Sequence, residues 1–121
     1  MVVVDPDALN TMVEQVRRRV RAQAEDPAPS PADFCAWGLT MTQLIDTLDT
    51  LARVLDHQVG HYGDRRILSD DTGADPAQRV LEVQDRLHAL WMALRTARSA
   101  ASAYASTVGH LGVEVDPDAT P

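Results

Sequence analysis

Apolar residues return every three or four positions along most of the chain, the period of one face of an α-helix. The longest stripe runs through Phe34, Trp37, Met41, Leu44, Leu48, Leu51 and Leu55, with Gln58 and Tyr62 next in register. A second runs through Val80, Val83, Leu87, Leu90, Leu94, Ala97, Ala101, Tyr104 and Val108, followed by Leu111. Heptad-like stripes of this length predict two long helices, about 31–61 and about 76–110. Ile45, Ala52 and Val59 repeat every seven residues beside the first stripe and widen it beyond a two-stranded seam. Leu9, Val13, Val16 and Val20 form a thinner stripe and predict a shorter helix, about 6–24.

Each helix opens on a capping residue followed by proline: Asp5-Pro6, Ser30-Pro31 and Asp75-Pro76. Proline's fixed φ suits the first helical position, and the N–H it lacks has no partner there anyway. Gln78, three residues after Asp75, is expected to complete a capping box. The prolines of the 25–30 segment cannot continue a helix, so it reads as a linker. Gly60 and Gly63 mark the end of the second helix, and a polar loop from Asp64 to Gly73 follows, with Ile67 and Leu68 expected to fold back over the hairpin end.

Two matched stripes joined by a short loop predict an antiparallel hairpin over about 31–111, with arms roughly 45–50 Å long. The bulky Phe34, Trp37 and Met41 would then face the small residues of the 97–106 stretch. The expected fold is all-α: a single domain over 1–121, with an N-terminal helix, the long hairpin and a flexible tail from 112 to 121. One hairpin cannot cover both stripes, so the bundle is expected to be completed by homo-oligomerisation. A charge at Leu48 or Leu90 is expected to unfold the chain by burial in the seam.

Charge narrows the partners. The net charge of −7 repels phosphate backbones and anionic lipid, so nucleic acid and membrane surfaces are not the expected partners. No apolar run approaches the roughly 18–20 residues of a membrane span, no targeting segment is recognisable, and the single cysteine precludes an internal disulfide framework. The expected compartment is the cytoplasm. All 11 basic residues are arginine, a usage typical of high-GC genomes.

The run from Leu44 to Leu111, with Asp70-Asp71-Thr72-Gly73-Ala74-Asp75-Pro76 between the arms and His110-Leu111-Gly112 at the end, resembles short uncharacterised helical proteins of high-GC actinobacteria. No function is assigned to them, so the resemblance implies none here. Trp37-Gly38 in a helical hairpin is also similar to the WXG-type secreted proteins, but those place Trp-x-Gly in the turn between helices, and here the two residues adjoin near a helix start.

Several side-chain groups could carry chemistry. His57 and His61 stand one helical turn apart and could share a metal ion, or stand solvated at a helix end where the dipole favours cations. Asp46, Asp49 and Asp56, with Arg53 among them, read as a solvated charged face. Arg17, Arg18, Arg19 and Arg21 form the basic cluster, suited to pairing with the acidic second helix, to an acidic protein or to DNA. They span too much of the helix circumference for one groove-reading stripe. Cys35, beside Phe34 and Trp37, reads as a small hydrophobe, and Trp91 as a second contact face. The segment from Asp70 to Asp75 reads as a turn and a cap. The Val-Asp-Pro-Asp-Ala string near each terminus, Val4 to Ala8 and Val115 to Ala119, carries no chemistry of its own.

No nucleophile elbow, phosphate-cradling glycine loop or Ser-His-Asp arrangement is present, so no enzymatic activity and no cofactor are expected. The sequence points to a helical interaction module, a homodimeric four-helix bundle acting as an adaptor or structural protein. The rival readings are a DNA-associated accessory protein using the arginine cluster and a metal-binding bundle using the histidine pair. The expected contact residues are the two stripes, with Trp91 beside the second.

Overall fold

The computed structural model describes residues 5–112. It contains three helices, α1 (Pro6–Glu25), α2 (Pro31–His61) and α3 (Pro76–Val108), and among the described residues no strand. The fold is all-α, as expected. Of the tail expected to be flexible over 112–121, residues 113–121 lie outside the described residues, as do Val4 and the whole string from Val115 to Ala119.

The helix starts follow the capping chemistry. Asp5 and Asp75 accept from the backbone N–H groups of Asp7 and Ala77. The reciprocal box forms at α2, where the Asp33 N–H donates to the Ser30 hydroxyl at 3.2 Å and the Ser30 N–H to the Asp33 carboxylate at 2.9 Å. It does not form at α3, because Asp75 bonds to the second helical residue and Gln78 does not reach back. Gly73 closes the turn before α3 at φ +81, a left-handed conformation that favours glycine.

α2 and α3 pack antiparallel along their lengths. The order of cross-links shows the direction: Tyr104 donates to the Phe34 carbonyl at 3.1 Å, Arg98 pairs with Asp46 at 2.7 Å, and Gln84 donates to the Asp56 carbonyl at 3.4 Å. Leu68 folds back against Gly63, but Ile67 is fully exposed, so only half of the expected plug forms.

The packed residues are only partly those expected: Val80, Leu87, Leu94, Ala101 and Val108 of the α3 stripe take part, whereas the α2 leucines stay exposed. The α2 seam is Cys35, Gly38, Thr42, Ile45, Asp49, Ala52, Asp56 and Val59, every one of them buried or half-buried. On α3 it is Val80, Gln84, Leu87, Trp91, Leu94, Ala101, Ala105 and Val108. Gly38, rather than a bulky residue, meets the alanine-rich stretch: a Cβ placed there would lie 3.1 Å from both the Ala105 Cβ and a Tyr104 ring carbon. Small against small lets the backbones approach closely. Asp49, expected on a solvated face, is only 17 % exposed within the seam, where Arg53 covers it at 3.4 Å.

α1 packs on neither arm. Among the described residues its one side-chain hydrogen bond to the hairpin runs from the Trp37 indole N–H to the Gln23 side-chain amide oxygen Oε1 at 3.0 Å, and Leu9, Val13, Val16 and Val20 remain exposed.

Candidate interaction surface

The α2 leucines lie one residue before the packed positions. Met41, Leu44, Leu48, Leu51 and Leu55 precede Thr42, Ile45, Asp49, Ala52 and Asp56, and one residue is a rotation of about 100° on a helix. On α3 the same offset holds: Val83, Leu90 and Tyr104 precede Gln84, Trp91 and Ala105. Antiparallel neighbours are related by rotation about an axis normal to their common plane, so equal offsets place both stripes on the same side of the hairpin. The Tyr104 hydroxyl, bonded to the Phe34 backbone, shows the two stripes adjoining at one end.

The outcome is one continuous apolar face about two helices wide. Leu48 is 48 % and Leu90 49 % exposed, and Met41, Leu44, Leu51, Leu55, Val83 and Tyr104 are exposed as well. Phe34 and Trp37 are half-buried at its edge, while Val80, Leu87 and Leu94 belong to both the hairpin seam and the α3 stripe. The buried apolar side chains among the described residues are only Ala52, Ala101 and Val108. A charge at Leu48 or Leu90 would therefore be solvated within one chain, which corrects the expectation that it would be buried in the hairpin.

Trp91 lies in the seam between the arms, not on a separate contact face. Its indole is flanked by the guanidinium of Arg53 at 4.7 Å, that of Arg95 at 5.1 Å and the imidazole of His88 at 5.3 Å. This cationic setting had no signal in the apolar pattern, although Arg95 lies one helical turn from Trp91 and was legible as a neighbour.

The remaining candidates do not converge. Arg17 pairs with Glu14 of its own helix at 2.7 Å, and Arg17, Arg18, Arg19 and Arg21 make no ion pair with α2. The His57 and His61 rings lie 4.7 Å apart, tilted by 57° to one another, with Asp64 3.1 Å from the His61 Nδ1. Among the described residues no group of three or more metal-ligating side chains comes together. The Cys35 thiol is half-buried and donates weakly to the Val108 carbonyl at 3.8 Å. In the loop, Asp70 accepts from Arg79 at 2.6 Å and from the Thr72 N–H and hydroxyl. These contacts, Arg79 foremost, hold its carboxyl far below the usual carboxylate range.

No helix among the described residues is long and apolar enough to cross a membrane. Comparisons with protein-family models, curated proteins and solved structures find no match for this chain.

Proposed function

We propose that the protein is a non-enzymatic helical interaction module that completes its core by self-association in the cytoplasm, most simply as a homodimer in which two hairpins meet across their apolar faces. The observation that carries this reading is that Met41 and the α2 leucines stand exposed on the same side of the hairpin as Val83, Leu90 and Tyr104 of α3. Four helices would then enclose the leucines, as the a and d positions of a bundle core require. The resulting body is an adaptor or structural element. α1, tethered at Trp37 with its own apolar stripe open, is the arm that reaches a further protein.

Light scattering across a concentration series tests the proposal. The expected mass is twice the 13.2 kDa of the chain. A mass of one chain at every concentration overturns it.

A further inference from the structure

The opposite side of the hairpin carries a different surface. There the residues that follow the packed positions, rather than precede them, line an open cleft of about 720 Å³ between α2 and α3. Arg95, Arg98, Ser99 and Ser102 of α3 share one wall at helical spacing, Arg53 of α2 stands across from them, and Trp91 and Leu94 form the floor.

This cleft is rich in hydrogen-bond donors. Thr42, Thr47, Thr50 and Thr96 spend their hydroxyls on the carbonyl one turn back in their own helices. Ser99 and Ser102 make no such bond, which leaves their hydroxyls free. Two of the three arginines meet carboxylates, Arg98 with Asp46 at 2.7 Å and Arg53 with Asp49 at 3.4 Å. Arg95 has no carboxylate partner among the described residues and faces only the Trp91 ring, 5.1 Å away. Asp49 lines the cleft beside Arg53, with one carboxylate oxygen unpartnered among the described residues, and Asp56 borders the adjoining hollow that shares Arg53 and Trp91, so the unbalanced positive charge is that of Arg95, at the end of the cleft toward Ser99 and Ser102. Within roughly the 8–10 Å over which salt screens charges, these local groups outweigh the distant acidic ones.

We propose that the cleft binds an oxyanion, the phosphate or carboxylate group of a small molecule. Arg95 supplies the unpaired guanidinium, Arg98 and Arg53 flank it, and Ser99 and Ser102 donate hydroxyl hydrogens. A guanidinium presents its N–H groups in a planar fork that matches the two oxygens of such a group. The apolar floor of Trp91 and Leu94 keeps water from one side of the contact, which strengthens it. The site needs only the hairpin and lies away from the leucine face, so it does not depend on self-association.

The Trp91 indole N–H, which has no hydrogen-bond partner among the described residues, is the reporter. Its resonance, assigned with Trp91→Phe, is followed as inorganic phosphate or citrate is added at ionic strength matched with sodium chloride. The expected result is a saturating shift with at least one anion, weakened about tenfold or more in Arg95→Gln and less in Ser99→Ala. Saturation with phosphate alone identifies the group as a phosphate, and with citrate alone as a carboxylate. No saturating shift with either anion, or an undiminished one in Arg95→Gln with helicity retained, overturns the assignment.

Discussion

Gly38 sets how closely the two arms approach. Ala105 and Tyr104 stand 3.1 Å from where its Cβ would be, so a branched side chain there must push α3 away. Gly38→Val is expected to destabilise the fold by about 1–3 kcal/mol in denaturant unfolding, the range for overpacking, despite valine's better helix propensity. In the loop, Asp70 provides a pH-dependent contact. Its folded-state pKa is depressed, chiefly by Arg79, so the contribution is fully present above the ordinary value of 3.8 and is lost as pH falls below it. In an NMR titration Asp70 is expected to protonate well below the ordinary aspartate value of 3.8, and Arg79→Ala to raise it toward that value. An Asp70 that titrates at the ordinary value in the unmodified chain would contradict the loop geometry.

At the scale of elements, the start of α2 is the most fully specified boundary. Ser30 and Asp33 satisfy each other's backbone N–H groups immediately before the helix. Ser30→Ala is expected to cost about 1 kcal/mol, read as a lowered denaturation midpoint with unchanged slope. Such boundaries were legible because proline after a capping residue has a local cause. The rotation of the helices was not. The hairpin seam uses Gly38, Thr42, Asp49, Asp56 and Gln84, residues that hydrophobic periodicity passes over. Ile45, Ala52 and Val59, which only seemed to broaden the leucine stripe, are among the residues that pack. Leucines mark the face with the most to bury, and in one chain that face is open. The cleft around Trp91 was hidden for a related reason: its arginines belong to two helices whose register only the packing defines.

At the scale of the whole molecule, the hairpin is joined by small residues, a few polar cross-links and Trp91, Leu87 and Leu94, while most of its leucines lie outside that contact. A body so constructed leaves hydrophobic burial incomplete, because Leu44, Leu48, Leu51, Leu55 and Leu90 each keep 38–49 % of their surface in water. Association supplies what is missing. Leu48→Asp or Leu90→Asp is expected to act at the face between chains, reducing the solution mass toward that of one chain and lowering thermal stability. A dimeric mass retained by both variants would place the interface elsewhere. If folding is completed by a second copy, stability must depend on protein concentration, because mass action favours the associated state. The most direct measurement is thus the thermal unfolding midpoint, followed by circular dichroism over a wide range of concentration. A core completed between two chains gives a midpoint that rises steadily with concentration. A midpoint independent of concentration, with the mass of a single chain throughout, would contradict it.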